Sequence, residues 1–181
     1  MGLLTIIILG ESVSSLSTGL ANISWTVERL LTAATGFVMI SSIWWVYFDS
    51  FHLLTKQRLT TGHSVLYSHF FVFIGLSIQA SLIRHATLDD MVVSDFRVLS
   101  VMGAVCFFIV KQYGYFMECP ELRRQLVVNT LVVFVLTGFA LLLPRTGYIL
   151  SGITAAVICY AFLSLRYLNV PPRAGVGAKH S

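Results

Sequence analysis

Glu11 stands inside an otherwise apolar and hydroxyl-bearing run, Thr5-Ile6-Ile7-Ile8-Leu9-Gly10-Glu11-Ser12-Val13. A carboxylate there could bind a proton or a cation. On a helix, Ser14, Ser15 and Thr18 line up with it, and Leu4 and Ile7 continue the same stripe toward the N-terminus. A second acid, Asp49, closes the aromatic run Ser42-Ile43-Trp44-Trp45-Val46-Tyr47-Phe48-Asp49. Thr35, Ser42 and Asp49 recur at heptad spacing and share a face with Trp45. Histidine, whose ordinary titration lies near neutral pH, is concentrated at His52, His63, His69 and His85. His69, in Tyr67-Ser68-His69, is the candidate partner for Asp49, with His52, His63 and Lys56 as alternatives.

The elements that hold these residues follow from composition. The chain has 181 residues, 56% hydrophobic and only 11% charged, with a mean hydropathy of +0.83. A water-soluble domain carries roughly 25% charged residues, so a bilayer is the solvent that fits. One helical span takes about 20 apolar residues, and the length accommodates about six spans with little left for a soluble catalytic domain. The predicted fold is an all-α, polytopic transmembrane helical bundle over residues 1–170, with a disordered tail at 171–181. Its helices are expected at about Leu3–Leu20, Leu30–Phe48, Ser64–Ile83, Val98–Tyr115, Leu126–Leu143 and Tyr148–Leu168. Glu11 interrupts the first of these, and Lys111 lies near the end of the fourth. Cys119-Pro120-Glu121, Pro144-Arg145-Thr146-Gly147 and Pro171-Pro172-Arg173 supply the breaks.

The formal charge of +4 does not mark a nucleic-acid protein, because the basic residues are scattered through short connections. They read as topology signals. Lys56, Arg58, Lys111, Arg123, Arg124, Arg166, Arg173 and Lys179 fall on one side, against Arg29, Arg84, Arg97 and Arg145 on the other. Retention of positive charge in the cytoplasm then places both termini there, in the inner membrane. Cys106, Cys119 and Cys159 have neither CxxC spacing nor an even count, so no disulfide framework or zinc site is expected. The N-terminus given lacks the basic n-region and small-residue cleavage site of a signal peptide, so none is expected, and no HExxH, phosphate-binding loop, dinucleotide fingerprint or GxSxG elbow is present. The expectation is therefore no enzyme, no catalytic residue, no metal ligand set and no cofactor.

A charge at the bilayer centre costs roughly 2.5–3.5 kcal/mol. The Glu11 stripe is thus expected to face the bundle interior, either as a functional site or as a protonated group bonded to a neighbouring helix. Tyr47 fits an interfacial anchor at headgroup level. Ser64, Ser68, Gly75 and Gln79 form a stripe suited to a helix contact or cavity wall, and Thr137, Gly138, Gly152, Ala156 and Cys159 suit close helix packing.

Taken in order, the run Thr5–Val13, the run Trp44–Asp49 and Tyr67-Ser68-His69 resemble the bacterial low temperature requirement A (LtrA) family. In that family the first motif typically follows a Glu-Arg pair, a Gly-Leu-Phe-like step and several further transmembrane helices. Here the sequence opens at Met1-Gly2-Leu3-Leu4, inside that motif, and Glu28-Arg29 lies in the following connection. The resemblance implies a multi-pass membrane protein, here a C-terminal portion or short form of a larger one, and it supplies no established substrate or reaction. Besides the lipid bilayer, the partners it suggests are a missing N-terminal half, a second copy or another membrane subunit.

The leading expectation is a transporter or channel-like element linked to protons or cations. In it Glu11, Asp49 and His69 line one polar cavity, Trp44 and Trp45 wall it, and Tyr67 and Ser68 contribute to binding. The alternative is a structural or sensory membrane protein whose polar groups only hold helices together, with temperature acting through bilayer thickness and packing. An intramembrane enzyme acting on lipid is weakest, because no nucleophile–base or metal spacing exists.

Overall fold

Long apolar runs adopt helices because hydrocarbon offers no water to satisfy backbone N–H and C=O groups, which the α-helix pairs internally. The computed structural model describes residues 2–21, 26–49, 62–109, 112, 116, 120 and 123–168, with positions 2, 49, 62–68 and 165–168 described as backbone only. Six helices result: α1 (Gly2–Ala21), α2 (Val27–Asp49), α3 (Gly62–Leu88), α4 (Val93–Ala104, continued by a π-helical turn at Val105–Ile109), α5 (Arg123–Ala140) and α6 (Thr146–Leu168). No strand occurs among the described residues. Five of the helices are long and apolar enough to cross a membrane, and α4 is the exception. The expected tail at 171–181 lies outside the described residues, as do His52, Lys56 and Lys111.

Most serine and threonine hydroxyls described inside these spans are satisfied on their own helices. Ser12 Oγ donates to the Ile8 carbonyl at 2.9 Å, Thr35 Oγ1 to Leu31 at 2.8 Å, Ser42 Oγ to Val38 at 2.8 Å and Ser100 Oγ to Phe96 at 2.7 Å. Such back-bonding removes the need for a partner on a neighbouring helix. It explains how hydroxyl-rich spans enter a bilayer, and it weakens any inference from a serine stripe to a cavity.

The helices alternate in direction. Gly36 of α2 meets Ile83 of α3, and Tyr47 meets His69 lower down, so α2 and α3 run antiparallel. Gly103 of α4 meets Ile78 and Gln79, while Gly75 meets Phe107, so α4 returns along most of α3 despite its short α-helical part. α1 packs chiefly on α3, and α6 sits between α2 and α5. One end of the bundle is tied by polar contacts. Arg145 Nη1 donates to Glu28 Oε1 at 2.8 Å, and Thr146 Oγ1 donates to Asp89 Oδ1 at 3.0 Å. Arg97 Nη2 donates to the Leu143 carbonyl at 3.2 Å, and His85 Nδ1 lies 2.6 Å from Asp90 Oδ1. The hydrogen bond from Arg145 to Glu28, with that carboxylate's Coulombic attraction, raises the guanidinium pKa further above its ordinary value. Asp89 ends α3 in the left-handed region at φ 55°, a conformation that Asp tolerates better than most side chains. Its carboxylate thereby reaches the N-terminus of α6, where the helix dipole favours negative charge.

The core is apolar, with Met39, Leu82, Phe96, Ile149 and Leu150 wholly buried. So is much of the outside: Ile7 is 58% exposed, Phe70 58%, Leu131 59% and Phe139 66%. Exposed apolar surface on this scale would be a liability in water and is the natural coat of a membrane bundle.

The π turn in α4 has a specific effect. Phe96, Ser100, Gly103 and Phe107 mark its inward face, and an uninterrupted α-helix would carry that face next to position 111, a lysine. The wider turn delays the register by one residue. Phe107 and Phe108 are both buried, and Gln112 takes the inward position at 6% exposure.

Close approach of α3 and α4 depends on Gly75, where an added Cβ would stand 2.8 Å from the Phe107 backbone nitrogen. Backbone cannot yield as a flexible side chain does. Gly75→Ala is therefore expected to destabilise the bundle by about 1–3 kcal/mol, the usual range for overpacking. Gly138→Ala, on α5 where nothing lies within 4 Å, should cost nothing. Unfolding of both variants in mixed micelles checks this, and equal stability would remove the proposed role of Gly75.

Candidate functional site

α1 buries Thr5, Leu9, Ser12, Leu16 and Gly19, a regular stripe directed at the other helices. Glu11 lies on the opposite side of the helix and is exposed, together with Leu4, Ile7, Ser14 and Thr18. This corrects the expectation that the Glu11 stripe faces inward. Position 11 is about 200° around the helix from Leu9, so the core chosen by Leu9 and Leu16 excludes it. Glu11 makes no hydrogen bond or ion pair among the described residues.

His69 is half-buried near the other end of the same helix pair, with its ring 6.3 Å from Tyr47 and 6.1 Å from Phe73 between centroids. α1 and α3 run in the same direction with Gly19 beside Arg84. Glu11 is therefore about two turns, or roughly 10 Å, further along the bundle axis than His69. No cavity among the described residues contains both. Asp49 is the last residue of α2, and Tyr67 and Ser68 lie in the first turns of α3, but their side chains are outside the described residues. The expected pairing of Asp49 with His69 is likewise outside them.

Trp44 and Trp45 do not wall an internal cavity. They are 52% and 45% exposed, and Trp44 packs at 5.5 Å against Phe48 of its own helix. Outward tryptophans near a helix end are the arrangement of an aromatic belt. Tyr47, expected as the anchor, is instead 7% exposed, and its hydroxyl has no partner among the described residues. The direction of Ile43 and Val46 into the core carries Tyr47 with them.

Other polar positions emerge only in three dimensions. Gln112 Nε2, beyond the π turn, donates to the Tyr160 hydroxyl of α6 at 2.9 Å, while Gln112 Oε1 has no partner among the described residues. Phe108 covers the pair, its ring 5.2 Å from that of Tyr160. Gln79 and Asn129, each 4% exposed, also retain an unpartnered side-chain oxygen. Gln79 was legible as part of a contact stripe, and it does lie against Gly103. Gln112 was not legible, because helical periodicity points to its neighbour until the π turn is known. Among the described residues no group of His, Cys, Asp and Glu could hold a metal ion. A groove of about 410 Å³ opens on α3 and α4 between Phe70, Phe73, Ile74, Ser77, Ser81 and Leu99, and it contains neither Glu11 nor a tryptophan.

The Gln112–Tyr160 contact generates a test. Tyr160→Phe strands a buried amide that already has one unpartnered atom, which is expected to cost about 1–3 kcal/mol. Gln112→Leu removes the polar group altogether and should cost less, and combining it with Tyr160→Phe should recover stability. A double-mutant cycle on unfolding in detergent measures the coupling, and strict additivity would mean that the bond contributes nothing.

Neither the curated proteins nor the solved structures returned a match. The family model described as bacterial low temperature requirement A protein (LtrA) matches residues 1–162. That stretch contains Glu11, the tryptophan pair, His69, the π turn and all but the last residues of α6, and so this multi-pass membrane protein belongs to the LtrA family.

Proposed function

We propose that the chain is a proton- or cation-linked element of membrane transport, inserted in the inner membrane with both termini in the cytoplasm, and that Glu11 is its ion-binding carboxylate. The observation that carries this reading is the position of Glu11 midway along a bilayer-length helix, on the face turned away from the core. Among the described residues every other acidic group falls at a helix end or between helices. An ionisable group at that depth is costly and is a functional site by default. His69, beside Tyr47 near the end of the bundle, serves as a separate proton-exchanging group. The side that gathers Arg29, Arg84, Arg97 and Arg145 is then extracytoplasmic, and no catalytic step is assigned.

One observation favours a purely structural or sensory role: no described cavity contains Glu11, and most hydroxyls of the spans are already bonded to their own backbones. The two readings part at one substitution. In proteoliposomes under an imposed pH gradient, Glu11→Gln is expected to lower proton-coupled cation flux at least tenfold while leaving unfolding unchanged. Equal flux from both proteins would eliminate the transport reading.

A further inference from the structure

A hydroxyl in a helix can donate to the carbonyl one turn earlier, and most of those in the spans do so. A side-chain amide oxygen has no such recourse. It only accepts, and in mid-helix every backbone N–H is already spent on the helix itself. Five buried side-chain oxygens have no partner among the described residues, those of Tyr47, Gln79, Gln112, Gln125 and Asn129. Gln79 stands at mid-bundle against Gly103, and Tyr47 lies beside His69. The other three gather where α5 begins and α6 ends.

Their grouping follows from helix register. Ala140 of α5 meets Gly152 of α6, and about three turns from that contact on each antiparallel helix Asn129 comes level with Leu163 and Ser164. Gln125 is one turn nearer the end on the same face of α5. The Tyr160 hydroxyl, hydrogen-bonded to Ser164, accepts from Gln112 Nε2 at 2.9 Å. Gln112 and Asn129 are 6% and 4% exposed. Three amide oxygens thus share this corner with two hydroxyls already bonded to each other, and acceptors outnumber donors. One turn deeper on α5 the face becomes apolar at Val133, and Phe108 covers Tyr160, both buried.

We infer that this corner is a binding site for water, a vestibule that admits solvent from the end of the bundle as far as Tyr160. Water fits the imbalance because each molecule brings two donors to a place that lacks them, and a buried water is held by two to four polar partners. Gln125 and Asn129 line the entry, and Gln112, Tyr160 and Ser164 receive the innermost molecules. Val133 and Phe108 form the floor. Tyr160 lies about 12 Å from the end of α6, a substantial part of a hydrocarbon core about 30 Å thick. The vestibule does not contain Glu11 and stands independently of the role given to that residue.

The test uses the full chain in lipid vesicles, with Cys106, Cys119 and Cys159 replaced by serine. Silver ion, a thiol reagent small enough to follow water, is supplied on both sides as the nitrate. Asn129→Cys is expected to react at least tenfold faster than Val133→Cys, one turn deeper on the same face, and than Leu131→Cys, at similar depth but facing lipid, because the reactive thiolate forms only where water reaches it. Gln125→Cys, at the entry, should react as fast as Asn129→Cys. Adding Gln125→Leu, which removes the acceptor at the entry, should slow Asn129→Cys at least tenfold with unfolding unchanged. Reaction at Asn129→Cys no faster than at Val133→Cys and Leu131→Cys would overturn the inference and make the three oxygens part of a dry core. Slower reaction of Asn129→Cys in sodium or potassium nitrate than in choline nitrate would overturn it too, assigning the corner to a bound cation instead. No flux enters the readout, so the result stands whichever way the Glu11 experiment falls.

Discussion

Hydrocarbon cannot accept a hydrogen bond, and this single constraint organises the bundle. Each backbone amide must be paired within its own helix, and each serine or threonine is stable in a span when it can donate to the carbonyl one turn earlier. Thr32, Thr35, Ser41, Ser42, Thr87, Ser100 and Thr154 all do so. With the polar groups satisfied locally, association is left to packing, and packing in lipid depends on how closely backbones approach. Gly36, Gly75, Gly103 and Gly152 mark the points of closest approach between α2 and α3, α3 and α4, and α5 and α6. Charged residues are consequently pushed to the ends, where Glu28–Arg145 and Asp89–Thr146 tie the entry to α6 onto α2 and α3.

Departures from that economy are where function is sought. Glu11 is the clearest, since it has neither a carbonyl nor a neighbouring helix to answer its charge within the described chain. The π turn at Val105–Ile109 is another. π turns recur at functional sites, and this one turns a neutral amide inward where an unbroken α-helix would turn a cation. The bond from Gln112 to Tyr160 shows what this register provides. His69 occupies a third kind of environment, an aromatic one, in which Tyr47 and Phe73 bracket the imidazole.

Much of this was legible in the residues alone. The six helices follow from apolar run lengths, with α2 beginning at Val27 and α3 continuing to Leu88, a little beyond the runs themselves, because helices carry polar ends into the interface. Gly75, Gln79, Thr137 and Gly152 were readable as contact positions and are in contact or buried, whereas Gly138, read the same way, has nothing within 4 Å. The arrangement of the candidate site was not readable. A stripe such as Glu11, Ser14 and Thr18 tells that residues share a face and not which way the face points. In a soluble helix the polar side points outward, whereas in a membrane both sides are apolar enough to be either.

What the sequence determined by itself was the solvent, the helical class, the family motifs and the identity of the few residues that a bilayer makes costly, because these depend on composition and local periodicity. Which of those residues meet was decided only by the tertiary structure. Burial of Thr5, Leu9 and Leu16 against α3 commits Glu11 to the outer surface, and the π turn of α4 leads Gln112 to the inward face. Both outcomes are rotations about a helix axis, and a rotation is set by the neighbours a helix packs against, which no single run of residues contains.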